Sequence, residues 1–137
     1  MTGKTVLDSG VIATIFFPED MTTRTIRKLG SDPYVTVDCA VADAAQVAAK
    51  RLASGTDSPE DVKEMLHDAL YFITQMCDLI PSVELINPAL DLAGELNLSI
   101  YDALFVAAAV RERGELLTAD KELSLAAKTV CRVRLLE

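Results

Sequence analysis

The sequence predicts an α/β fold: a central, mostly parallel sheet of about five strands, flanked by helices on both faces. Two observations predict it. Short β-prone runs alternate with stretches whose apolar residues recur at helical spacing. Each such run is followed by a helix start rather than a tight hairpin turn, which implies crossover connections and parallel strands. No internal repeat, low-complexity segment or linker divides the 137 residues, so they read as one domain over 1–137.

The elements follow in order. Lys4 to Leu7 is a first strand, and Gly10 to Phe17 a first helix closed by Pro18. Asp20 caps a short helix to about Leu29, and Gly30-Ser31-Asp32-Pro33 is a turn. Tyr34 to Val37 is the second strand. Asp38 reads as the cap of a long helix to about Ser54, broken by Gly55-Thr56-Asp57. Ser58-Pro59-Glu60-Asp61 is a strong helix start: a capping hydroxyl, proline at the first position and acids in the first turn. Val62, Leu66, Ala69, Leu70, Ile73, Met76 and Leu79 continue that helix until Pro81. Met65 and Phe72 broaden its apolar face, which suits core packing and leaves room for a dimer contact. Val83 to Ile86 is expected as the third strand and Pro88 to about Leu96 as a helix. Ser99 caps a helix from Ile100 to Arg113, stopped by Gly114. Glu115 to Thr118 is the fourth strand, Lys121 to Lys128 a helix, and Val130 to Leu136 a last strand.

Composition narrows the function. The formal net charge is −8, which argues against holding nucleic acid by bulk electrostatics but leaves a nuclease with a local site open. No apolar run approaches the roughly 20 residues that span a bilayer, and no secretory signal is evident, so a cytoplasmic protein is expected. Cys39, Cys77 and Cys131 are far apart and form no Cys-x-x-Cys pair. They read as small buried hydrophobes rather than zinc ligands. His67 lies mid-helix, away from every acidic motif.

Four aspartates stand out. Asp8 ends the first strand and Asp120 follows the fourth. Asp43 and Asp102 sit in helix-like stretches otherwise poor in charge, where a carboxylate is costly. Each has a local explanation. Asp8-Ser9-Gly10 is a turn sequence, and Asp43 shares a polar face with Gln46 and Lys50. Asp102 completes a Ser99-x-x-Asp102 capping box, and Asp120 can cap the next helix. Jointly they mean more. In a parallel sheet, strand ends and adjacent helices share one edge, and ligands bind beyond the carboxyl ends of the strands. Acids gathered there repel one another unless a divalent cation joins them.

The stretches Leu96 to Ala109, with Tyr101-Asp102-Ala103, and Leu116 to Leu123, with Leu117-Thr118-Ala119-Asp120, resemble the C-terminal half of a PIN domain. The resemblance is closest to the VapC-type toxin ribonucleases. Val6-Leu7-Asp8-Ser9 is similar to the first motif of that family, and the order of elements matches over essentially the whole chain. The resemblance implies a PIN-like fold in which Asp8, Asp43, Asp102 and Asp120 surround Mg2+ or Mn2+, supported by the hydroxyls of Ser9 and Thr118. It implies hydrolysis of RNA by a metal-activated water, a homodimer, and a small antitoxin protein as partner. It also leaves two other roles: RNA processing or decay, and a binding module with a weakened metal site. The family usually carries glutamate where this chain has Asp43, one methylene shorter, and Gln46 stands where asparagine is common. Basic residues are sparse. Arg24, Arg27 and Lys28 share a helix, and Lys50-Arg51 end another; they could bind RNA backbone, but ordinary solvated surface is the favoured explanation.

Overall fold

A computed structural model describes residues 3–17 and 33–136. The expected helix from Asp20 to Leu29, with Arg24, Arg27 and Lys28, lies outside the described residues. Five strands form one sheet: β1 (Thr5–Leu7), β2 (Tyr34–Val37), β3 (Asp78–Ile80), β4 (Glu115–Thr118) and β5 (Arg132–Leu135). Their order is β3-β2-β1-β4-β5 and every pairing is parallel. The α/β class and strand number match the sequence reading, and the sheet is wholly parallel rather than mostly so.

Among the described residues six α-helices connect the strands: α1 (Ser9–Phe16), α2 (Cys39–Ser54), α3 (Pro59–Tyr71), α4 (Ile86–Leu96), α5 (Ile100–Glu112) and α6 (Lys121–Ala127). From β1 the chain steps outward through β2 to β3, then returns across the sheet to β4 and β5. Right-handed crossovers therefore place α1, α2 and α3 on one face and α4, α5 and α6 on the other. The packing agrees: α1 contacts α2 and α3, while α5 packs on α4 and against β1, β2 and β4. The outward steps diverge between β1 and β4, the position where ligands bind in sheets of this kind.

The strands are short and buried, as expected for a sheet covered on both sides. Val6, Leu7, Val35, Val37, Leu116 and Leu117 have no exposure above 0%. In α5 every residue from Ala103 to Ala109 is buried, so this helix is apolar all round. Its alanines let it sit close to the sheet, and that fixes its first turn at the carboxyl edge. No single described helix is long and apolar enough to cross a membrane.

One element departs from expectation. The third strand is Asp78–Ile80, not Val83–Ile86. The helix expected to run through Leu79 ends at Tyr71 and passes into a π-helical turn over Phe72–Met76. Val35 pairs with Asp78 and Val37 with Ile80, and Asp38 donates its N–H to the Ile80 carbonyl at 3.1 Å. An edge strand of three residues is held by its backbone, and only Ile80 of the three is buried, so side-chain alternation does not reveal it. Val83 lies in a 3-10 turn and is 79% exposed. The expected helix at Pro88 begins two residues earlier, with Pro88 in its first turn, where no N–H is needed.

Gly114 shows how closely the strands begin. A Cβ there would lie 2.6 Å from the Lys4 carbonyl oxygen, beside the 2.9 Å bond from Glu115 N–H to that same oxygen. Gly114→Ala is expected to lower stability by about 2–3 kcal/mol by prising β4 from β1. Denaturant unfolding checks this, and a variant as stable as the parent would show that the strand start yields freely.

Candidate functional site

The carboxyl edge of the sheet is built by helix caps. Asp8 follows β1 with extended backbone and caps α1, its Oδ1 accepting from the Val11 N–H at 2.9 Å. Asp120 does the same for α6, its Oδ1 accepting from the Leu123 N–H at 3.1 Å. The turn and cap explanations of these two residues are therefore correct as local structure, and they are also what aims both carboxylates along one edge. Ser99 caps α5, its Oγ accepting from the Asp102 N–H at 3.1 Å, which puts Asp102 in the first turn of that buried helix.

Asp43 comes from the second turn of α2 and meets α1: the Ser9 hydroxyl donates to Asp43 Oδ2. Asp38 occupies the cap position of α2 but has helical backbone and makes no side-chain capping bond. The expectation that it caps the helix is thus corrected. The α2 N-terminus instead begins in a turn closed by the Val41 N–H on the Asp38 carbonyl at 3.1 Å.

Thr118 is fully buried at the end of β4. Its Oγ1 accepts from the Asp120 N–H at 3.0 Å, and its side chain lies near the Asp8 carboxylate and favours its charged form. Thr36, which the sequence reading did not single out, donates from β2 to the Leu7 carbonyl at 2.9 Å and steadies the backbone just before Asp8. A threonine in a strand carries no signal that would mark it.

The electrostatics show that the acids share a field. Asp8 is 7% exposed, and burial raises its carboxyl to about 6. The hydrogen bonds from Thr118 and Val11 oppose that shift, and the charges of Asp102 and Asp120 add to it. Asp102 is also raised, first by burial and then by Asp120, with a further push from Asp43. Among the described residues, no lysine, arginine or histidine pairs with any of these four carboxylates. Asp43 Oδ1 and Asp120 Oδ2 receive no hydrogen bond there either.

Such a set suits a hard divalent cation. Among the described residues no three acidic, histidine or cysteine side chains stand close enough together to hold a metal ion as a group. A cation that keeps several waters and takes only one or two carboxylates directly matches this looser arrangement. The cysteines offer no alternative chemistry: burial pushes the Cys39 and Cys77 thiols up to about 12. His67 is exposed on α3. Arg51 forms a 2.8 Å ion pair with Asp57, so it closes the loop after α2.

A separate cleft of about 370 Å3 lies between the end of α1 and α3. Ile15, Phe16 and Met65 form its apolar wall, and Asp61, Glu64 and Asp68 its acidic rim. None of the four aspartates lines it.

Comparison with known proteins agrees with the fold. The chain is 27% identical over 122 residues to Ribonuclease VapC3 of Pyrobaculum aerophilum, an alignment covering 88% of this chain and 92% of that protein. A crystal structure of another Pyrobaculum aerophilum protein superposes with a TM-score of 0.71 at 16% identity, covering 96% of this chain and 83% of the other. VapBC2 from Rickettsia felis, solved bound to a DNA fragment from its promoter, superposes with a TM-score of 0.64 at 13% identity over 98% of this chain and 99% of that one. The PIN domain family matches residues 5–129. With the strand order and the acid-lined edge already described, that match over nearly the whole length means that this chain belongs to the PIN domain family.

Proposed function

We propose that this protein is a metal-dependent endoribonuclease and the toxin of a toxin–antitoxin pair, acting in the cytoplasm. The observation that carries the reading is the group of Asp8, Asp43, Asp102 and Asp120 at the carboxyl edge, coupled in charge and lacking a basic partner among the described residues. The relative named as a ribonuclease supports RNA as the substrate.

Asp8 and Asp102 would hold Mg2+ or Mn2+, with Asp43 and Asp120 completing the acidic set. When bound, such an ion acidifies a water, neutralises the phosphate and stabilises the leaving oxygen. The protein's own part is to keep the carboxylates in place. Ser9 orients the Asp43 carboxylate by donating to its Oδ2. Thr118 holds the Asp120 backbone by its Oγ1 and favours the charged form of Asp8. No side-chain nucleophile is needed in this scheme.

The antitoxin reading draws on the toxin–antitoxin structures among the neighbours. The acidic-rimmed apolar cleft between α1 and α3 suits a basic, amphipathic segment of such a partner. Pairing with a second copy would use exposed Tyr71 and Met76 at the end of α3 and in the π-turn.

Cleavage of a structured RNA with manganese tests the activity. The wild type is expected to cut, and Asp102→Asn to be slower by about 100-fold or more, since even the residues that support metal ligands are worth 10–100-fold. Equal rates for the two proteins would sink the assignment.

A further inference from the structure

At the opposite end of the sheet, where β4 and β5 begin, a cleft of about 250 Å3 is lined by Ala109, Val110, Arg113, Gly114, Val130, Cys131 and Arg132. Its two arginines differ from the others described. Arg51, Arg111 and Arg134 each have a carboxylate partner, at 2.8, 2.8 and 3.1 Å. Arg113 and Arg132 have none among the described residues. The nearby carboxylates are engaged elsewhere: Glu112 with Lys4 and Arg111, Glu115 with Arg134.

Arg113 also occupies a costly position. It ends α5 with φ 51°, in the left-handed region where glycine or asparagine is the usual choice. An arginine there gives up helix-end stability, and a favourable interaction with the helix dipole returns only part of it. Both arginines line one cleft in a chain whose net charge is −8, yet neither has a carboxylate partner among the described residues. The partial negative charge at the end of α5, roughly half a unit, is outweighed by two whole positive charges.

We propose that this cleft is an oxyanion site for a phosphate group, with Arg113 and Arg132 as its two arms. Arginine suits phosphate because its planar fork donates two parallel hydrogen bonds. The site is separate from the acidic edge and does not depend on the nuclease reading. The phosphate can be free or carried on a nucleic-acid backbone, and the experiment separates these.

Inorganic phosphate is titrated into the wild-type chain at constant ionic strength in EDTA, with chloride as control, and binding is read by calorimetry. A short oligoribonucleotide without terminal phosphate is titrated in parallel. The variants are Arg113→Asn, which tolerates the left-handed conformation, and Arg132→Gln. Saturable phosphate binding, weakened about tenfold or more in each variant, is the expected result for a free-phosphate site. Oligonucleotide binding that weakens in the variants, without binding of inorganic phosphate, assigns the site to a nucleic-acid backbone. If neither ligand distinguishes the wild type from correctly melting variants, the proposal is overturned. Loss of RNA cleavage in Asp102→Asn leaves all of these outcomes unaffected.

Discussion

Asp8→Asn is expected to give a protein that is more stable than the wild type in EDTA at pH 7.5 and inactive on RNA. Burial raises the Asp8 carboxyl from 3.8 to about 6, so the folded state holds the proton more tightly than the unfolded chain does. The stability of the metal-free protein therefore falls as the pH rises from about 4 through 6, and above that range the charge is fully felt. A shift of this size corresponds to about 3 kcal/mol. Asparagine keeps the Oδ1 acceptor that caps α1 at Val11 and removes the charge. The variant should melt about 5 °C or more above the wild type at pH 7.5, and the gap should narrow to about a third of that near pH 4.5. Manganese should raise the wild-type melting temperature and leave the variant unmoved. A variant that melts below the wild type at both pH values would show that Asp8 is not a strained carboxylate. This trade of stability for function is common at active sites.

The second large effect separates Asp43 from Asp38. Asp43 is bound by Ser9 and its charge reaches Asp102, whereas Asp38 ends β2 with its carboxylate in no capping bond. Asp43→Asn should weaken manganese affinity about tenfold or more, and Asp38→Asn should leave it within about twofold. The two changes remove the same charge from the same helix terminus, so any nonspecific electrostatic effect is common to both. Reversed effects would place the second acid at Asp38.

Much of this was legible in the sequence. Ser58-Pro59 and Ser99 mark helix starts because capping chemistry is local. The run from Ala103 to Ala109 reads as buried because no face of it is polar. Asp8 and Asp120 were visible because each ends a β-prone run and begins a helix. β3 was hidden because a three-residue edge strand is defined by its hydrogen bonds to β2, which leave no periodic pattern. The Ser9–Asp43 contact was hidden too, since it joins α1 to α2 only after both pack together. The cleft at Arg113 and Arg132 exists only because β5 lies beside β4 and returns one arginine to the other.

The central claim is that the carboxyl edge is a divalent-cation site. Calorimetric titration of manganese into the metal-free wild-type protein tests it most directly. Saturable binding at millimolar concentration or tighter, lost in Asp8→Asn, is the expected result. An absence of saturable binding by the folded wild type, or equal binding by the Asp8→Asn variant, would contradict it.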